Sequence, residues 1–395
     1  MIQLADKRKC TGCTACECVC PKACISMMAD QGGFLYPVIN TDACVECKRC
    51  MRACPILEKR KVQTEHTLAY AAYTKDSGLR MDSSSGGIFS EIAGEILDRH
   101  GVIYGAAFDK DFGVIHKCIE SKSDLKEIRG AKYVQSDLDH CFKAIKCQLI
   151  DNRLVLFSGT PCQVSGLRSY LGKEYDNLIC IDFVCHGVPS PMVWKKYLAY
   201  RAEKDCQGNL PEQIHFRCKD SGWSRYAYSM EFLYRNDVRY LRRNGEDEFL
   251  ELFVKNYILR ESCSQCKEKG YARKSDITLG DFWGIWDIIP EMDDNRGTSL
   301  VLVHSSKGKE MLKEIGSRIQ VKEVTLMQAG QQNEMITHCI EHQKEREDAI
   351  RRIAENGFQP LSSLFPNKNE TSINGSFFQH LKIEARKRIT KRHKR

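Results

Sequence analysis

One cysteine spacing, written twice, constrains this chain more than anything else in it. Cys10, Cys13, Cys16 and Cys20 precede Pro21, and Cys44, Cys47, Cys50 and Cys54 precede Pro55. Each run reads C-x2-C-x2-C-x3-C-P, the spacing in which the fourth cysteine of one run ligates the 4Fe–4S cluster built by the other. The first cluster is therefore assigned to Cys10, Cys13, Cys16 and Cys54, and the second to Cys44, Cys47, Cys50 and Cys20. Three thiolates at every third residue wrap one face of a cubane while backbone N–H groups point at its sulfurs, and each proline turns the chain away. Two zinc knuckles are the alternative, but zinc needs four ligands and has no use for the third spacing. Cys18 and Cys24 fall outside the pattern and read as passive small residues.

Cysteine usage supports metal over disulfides. Ten of the 21 cysteines lie between Cys10 and Cys54, and clustered thiols in a reducing compartment bind metal. At 395 residues, 42% hydrophobic and 28% charged, the chain has room for two or three ordinary globular domains. No apolar run approaches the roughly 18 residues of a membrane span. Met1–Lys7 has no apolar signal core, so a soluble, cytoplasmic protein is expected. Of the net charge of +8, +7 falls in Lys382–Arg395, with eight Lys or Arg and one Glu. That tail is either a solvated helix end or an anchor for an acidic partner or membrane surface. No aromatic or motif context points it at nucleic acid.

The fold class expected is α+β or α/β: a small two-cluster ferredoxin-like domain, then a mixed-sheet body. Phe34–Ile39 reads as a short strand between the cluster runs, and Glu58-Lys59-Arg60-Lys61 as a charged linker. Strands are expected at Leu68–Tyr73, Val102–Ala106, Gly113–Ile115, Leu154–Phe157 and Leu178–Phe183. Helices are expected over Ile88–Arg99 and Leu138–Ile150 and from Pro161. This alternation predicts an α/β layer, and Ile214–Tyr240 turns to β. The divisions are 1–60 (two-cluster domain), 61–150 and 151–310 (the two parts of the body), and 311–395 (a helical, basic extension).

Three glycine-containing turns carry possible chemistry. Ser83-Ser84-Ser85-Gly86-Gly87 opens a helix, where free N–H groups and hydroxyls suit a phosphate or a flavin pyrophosphate, or simply cap the helix. Ser158-Gly159-Thr160-Pro161-Cys162 places a cysteine at a helix N-terminus, where a thiolate is favoured. Gly280-Asp281-Phe282-Trp283-Gly284 suits a planar ring or a tight turn. Cys162 and Cys185 follow strand ends, the edge where open α/β sheets build sites. With Cys263 and Cys266, a C-x2-C pair, they make four thiolates. These suit a third 4Fe–4S cluster, a zinc site or four unrelated cysteines. Cys118, Cys141, Cys147, Cys180, Cys206, Cys218 and Cys339 read as core or surface residues.

The order of these motifs resembles the beta-subunit family of coenzyme F420-reducing hydrogenases and dehydrogenases. The likeness runs over roughly residues 5 to 310. It rests on the ferredoxin head, the Ser83–Gly87 turn, Arg129-Gly130-Ala131-Lys132-Tyr133-Val134-Gln135-Ser136, Gly159-Thr160-Pro161-Cys162-Gln163, Asp182-Phe183-Val184-Cys185-His186-Gly187, Cys263 with Cys266, and Asp276–Gly284. Chlorophyll-pathway iron–sulfur flavoproteins such as hydroxymethyl-chlorophyll reductase share the body. The resemblance implies an oxidoreductase with FAD next to an iron–sulfur cluster. Ser83, Ser84, Ser85, Gly86, Gly87, Lys132, Tyr133, Val134 and Gln135 would line the flavin, with Thr160 and Asp281 beside it. It favours the third-cluster reading of Cys162, Cys185, Cys263 and Cys266. His186 then either tunes a cofactor or is a core histidine.

The function expected is electron transfer between an organic hydride donor or acceptor (coenzyme F420-like or other), a flavin and clusters, with a redox partner protein or small carrier. The rivals are a ferredoxin-dependent reductase of a bulky organic substrate and a non-catalytic electron-transfer adaptor. A large apolar pocket over the flavin favours the first, and protein without flavin favours the second.

Overall fold

The computed structural model describes residues 4–58, 67–224 and 227–366. The basic tail, residues 369–372 and most of the charged linker lie outside them.

The head is small. Strands β1 (Ile25–Ala29) and β2 (Leu35–Ile39) pair antiparallel, Ile25 opposite Ile39, and the one-turn helices Ala15–Cys18 and Arg49–Arg52 carry parts of the two cysteine runs.

Eight strands of the body form one sheet. They are β3 (Leu68–Thr74), β4 (Val102–Phe108), β5 (Val114–Ile119), β6 (Val155–Ser158), β7 (Leu178–Phe183), β11 (Ile277–Asp281), β12 (Ser299–Val303) and β13 (Ile319–Val324). Their order is β13-β3-β12-β11-β7-β6-β4-β5. Strands β8 (Gln213–Cys218), β9 (Ser229–Leu233) and β10 (Arg239–Arg243) make a separate antiparallel sheet. Strands β4, β6, β7 and β11 run parallel and the remaining pairings of the large sheet are antiparallel. Parallel strands must be covered on both faces, and all four residues of β6 are buried.

The covering follows the two-residue period of a strand. Ile103, Leu156 and Ile179 pack with Ile88, Ile92 and Ile96 of the helix Ile88–Asp98. Val102, Tyr104, Val155, Phe157 and Leu178 face the other way, onto Phe142 and Ile145 of Cys141–Ile150 and Val164 and Leu167 of Pro161–Leu171. Ala15 and Cys18 of the head join that second cluster. The head is thus packed on the helical layer behind the sheet. A third, aromatic-rich core lies between the small sheet and the helices Pro191–Cys206, Glu248–Val254 and Arg346–Asn356.

The expected strands and helices are present with ends shifted by one or a few residues. Residues 61–150 and 151–310, expected as two parts of one body, share one sheet, since β4 pairs with β6 and β3 with β12. The extension expected to be helical supplies β13, which pairs with β3 from Ile319↔Thr74 to Val324↔Ala69. Edge strands expose one side, so Ile-Gln-Val-Lys-Glu-Val carries charges that obscure its strand pattern.

Candidate functional site

The two cysteine runs adopt the same backbone. Gly12 and Thr14 in the first run, and Glu46 and Lys48 in the second, have φ of 69°, 60°, 51° and 59°. A left-handed residue on each side of the second cysteine curls the loop around a centre. Two cavities result. One is lined by Cys10, Cys13, Cys16 and Cys54, and the other by Cys20, Cys44, Cys47 and Cys50. The structure therefore brings the fourth cysteine of each run to the other run's first three. Cys24 lines the second cavity too, 3.4 Å from Cys20. Cys18 points away into the core against Thr14.

Burial pushes the Cys13 thiol up to about 12, with Cys10 and Cys54 adding to it, and raises Cys16 for the same reasons. Thiols raised in this way ionise together only when a cation compensates them. A tetrahedral zinc about 2.3 Å from each sulfur holds its ligands roughly 3.8 Å apart. Among the described residues, no three of these thiols lie within 4.8 Å of one another. The three potential ligands that do come that close, Cys218, Asp220 and Glu231, surround the Arg239 guanidinium, which donates to Glu231 at 2.7 Å and pairs with Asp220.

Cys162, Cys185, Cys263 and Cys266, far apart in sequence, gather in one patch. Thr160 caps the helix Pro161–Leu171 in a capping box with Gln163, Pro161 is its first residue, and the Thr160 hydroxyl lies 3.1 Å from the Cys162 sulfur. Cys185 follows β7, and Cys263 and Cys266 sit on and just after the 3-10 turn Glu261–Gln265. Burial raises the Cys162 thiol well above its ordinary value, and Cys266, Cys185 and Cys263 raise it further. Burial likewise moves Cys185, Cys263 and Cys266 to about 11. Desolvation outweighs a helix terminus when four thiols share one pocket. Lys269 Nζ faces the patch, donating to the Cys185 and Met335 carbonyls at 2.6 and 2.8 Å. Cys339, expected to have no context, donates to the Cys266 carbonyl.

The head touches the helix that carries Cys162. A Cβ added at Gly166 would lie 2.7 Å from Cys13 Cβ and 2.9 Å from its sulfur. Only glycine permits this approach. Four residues, about one helical turn, separate that contact from Cys162.

The expected flavin-lining residues divide into two groups. Gly87, with φ 84°, begins the helix Ile88–Asp98 without any side-chain cap, so the serines are not capping it. Ser84 Oγ accepts from the Ala131 amide at 2.6 Å, and Gly86 N donates to Ser299 Oγ at 2.9 Å. A Cβ at Gly86 would lie 2.5 Å from the Ala72 carbonyl. Lys219 Nζ binds the carbonyls of Arg80, Ser85 and Arg296 at 2.5, 2.8 and 2.7 Å. Tyr133 accepts from Arg217 Nη1 at 2.7 Å, and Arg217 pairs with Asp281 at 2.9 Å. The Arg217 guanidinium stacks 4.3 Å from Trp223 and 4.1 Å from Tyr228, and Trp223 stacks on Trp283. Ser83–Gly87, Tyr133 and Asp281 are thereby joined through Arg217, Lys219 and Trp223.

The others lie elsewhere. Gln135 faces the head, its amide nitrogen donating to the Thr11 carbonyl at 3.4 Å. Val134 is buried in the aromatic core, and Thr160 belongs with Cys162. Lys132 Nζ turns back to the Arg129 and Gly130 carbonyls at 3.1 and 3.3 Å. Burial depresses Lys132 to about 7, and burial with the nearby Arg80 does the same to Lys219. Burial disfavours the Arg217 charge, but Asp281 and Tyr133 outweigh it and its value is raised. Among the described residues, Nε and Nη2 of Arg217 are buried with no hydrogen-bond partner. Sequence reasoning missed Arg217, Lys219 and Trp223. The available signal was two cations two residues apart, Arg217 in β8 and Lys219 just past its end, followed by Gly222-Trp223. His186 Nε2 meets Asn256 Oδ1 at 2.7 Å, and its ring sits edge-on to Phe253, which stacks on Tyr133.

A two-run ferredoxin-type head packed on an α/β body with a third four-cysteine patch defines a class of iron–sulfur protein. Residues 152–328 match the family described as the C terminus of the coenzyme F420 hydrogenase/dehydrogenase beta subunit. An uncharacterised protein of Methanocaldococcus jannaschii is 25% identical over 206 residues, 44% of this chain and 56% of its own length. An uncharacterised ferredoxin from the same organism is 36% identical over 52 residues, 13% of this chain and 66% of its own length. The chain thus spans less than two thirds of either relative. A chain of the F420-reducing [NiFe] hydrogenase complex from Methanosarcina barkeri is 13% identical with a TM-score of 0.47, covering 77% of this chain and 99% of that one. Among the described residues no helix is long and apolar enough to cross a membrane.

Proposed function

We propose that this protein is an iron–sulfur flavoprotein oxidoreductase. It would carry electrons between an organic hydride donor or acceptor, coenzyme F420-like or another, and a redox partner. The observation that carries the reading is the gathering of Cys162, Cys185, Cys263 and Cys266 about one helical turn from the point where Cys13 of the head touches Gly166. When bound, 4Fe–4S clusters pass single electrons and a flavin exchanges a hydride for two of them.

The chain's own groups suit that work. Cys10, Cys13, Cys16 and Cys54 would hold the inner cluster, Cys20, Cys44, Cys47 and Cys50 the outer one, and the body patch a third. Ser83–Gly87, Tyr133 and Asp281, with Arg217, would hold the flavin, for which FAD is the family's implied form. The two unpartnered donors of Arg217 and the neighbouring Trp223 and Trp283 faces support an anionic, planar ligand there. Lys269 places positive charge beside the third set. The outer cavity carries the exposed Cys47 and Val45, and a partner protein or small carrier would dock there. All 21 cysteines are free thiols, which supports a cytoplasmic setting.

Anaerobic purification followed by iron, acid-labile sulfide and released-flavin assays tests this. About twelve irons and one flavin per chain are expected, four irons for each cubane. About eight irons without flavin would sink the reading and leave an electron-transfer adaptor.

A further inference from the structure

Arg260 is 1% exposed, which is costly for a cation unless it is paired. Yet its guanidinium bonds to neutral oxygens. Nε donates to the Cys10 carbonyl, Nη1 to Gln135 Oε1 and Nη2 to the Leu35 carbonyl, each at 2.9 Å. Its plane lies 4.2 Å from the Tyr36 ring. A Cβ at Gly12 would lie 2.9 Å from Nη1, so the first cysteine loop closes directly over the guanidinium. The backbone of Arg260 reaches the body patch. Its carbonyl accepts from the Cys263 amide at 3.0 Å, and its amide donates to the Val188 carbonyl at 2.9 Å. One side chain thus joins the inner cysteine loop, the head hairpin and the 132–135 loop, three residues before a cysteine of the third set.

Among the described residues this buried cation, bonded to three neutral acceptors, forms no ion pair. The thiolates of the Cys10 set can supply its counter-charge when they hold iron. We propose that Arg260 is a positioning residue for that inner cluster: its fork fixes the Cys10 loop against the body, and its charge favours the reduced cluster. This rests on the reading of Cys10, Cys13, Cys16 and Cys54 as ligands. The step concerned is one electron entering the cluster from a chemical titrant, with no bond made or broken and no proton moved.

The test is a potentiometric EPR titration of the full holoprotein, with the inner signal identified as the one lost in Cys54→Ser. In Arg260→Met the reduced fraction at fixed potential should fall about tenfold, or about 59 mV for a one-electron couple. Arg260→Lys, which keeps the charge but not the fork, should return to within about threefold of wild type, or about 28 mV, while its magnetic coupling to the body cluster weakens. A fully iron-loaded Arg260→Met that titrates like wild type overturns the proposal. So does an Arg260→Lys shifted as far as Arg260→Met is expected to be, which also decides the matter if Arg260→Met does not fold. Wild-type protein with fewer than about eight head irons would instead sink the ligand reading.

Discussion

The head and the body build four-cysteine sets by opposite means. In the head, three members of each set sit within seven residues and the fourth comes from the facing run. Backbone torsions at Gly12, Thr14, Glu46 and Lys48 do the gathering. In the body, the segment after β7 that carries Cys185 is bridged at Pro189 to Leu259, just before the turn that holds Cys263 and Cys266, and Cys162 joins them from the start of the helix Pro161–Leu171. Local gathering needs a loop to close, whereas distant gathering needs the whole sheet to form first. The head set is therefore a property of a segment and the body set a property of a fold.

Several measurements would break or sharpen that contrast. The largest effect belongs to the crossed ligation. Cys54→Ser should strip the cluster of the first run, about four irons, and spare that of Cys44, Cys47 and Cys50. Loss from the second run's site instead would show that each run closes on itself. Next, Cys263→Ser with Cys266→Ser should remove about four irons from the body while both head clusters keep their EPR signals. Loss of head signals as well would mean that head and body assemble as one unit.

A smaller effect tests the sheet edge on which the body site depends. Gly86→Ala drives a Cβ to 2.5 Å from the Ala72 carbonyl and should cost about 1–3 kcal/mol of stability. Denaturant unfolding with unchanged midpoint would show that the loop relaxes freely. The smallest concerns charge. Burial holds Lys132 at about 7 in the folded state, below the ordinary lysine value of about 10.4. Between those values the unfolded chain binds more protons, so this group makes stability rise with pH through the window, and its penalty is complete below it. Lys132→Met should flatten that slope, as read by urea midpoints from pH 7 to 9, and an unchanged slope would place the lysine in water.

Much of this was legible in the residues. The head's two cysteine sets follow from spacing, and the strands of the large sheet from apolar runs such as Val155–Phe157, because both signals are local. The four body cysteines were legible as a group only when their positions at strand ends were read together with the family resemblance. Arg217, Lys219, Trp223 and Arg260 were not legible. Each is an ordinary cation or aromatic residue whose meaning comes from what packs around it. Gln135 and Thr160 show the converse: expected beside Ser83–Gly87 and Tyr133, they turn toward the head and the body thiols.

By itself, then, the sequence determined the elements and the chemistry available to them: two cysteine runs, an α/β body and a set of thiols, glycines and serines at turns. Tertiary structure alone decided which of these meet. It placed Gly166 against Cys13, closed the Cys10 loop over Arg260 and drew β13 out of an apparently helical extension. The physical reason is that spacing and periodicity record what a residue does within a turn or two of chain. A contact between distant segments is set by the order of strands in the sheet and by the shape complementarity of the layers packed on it.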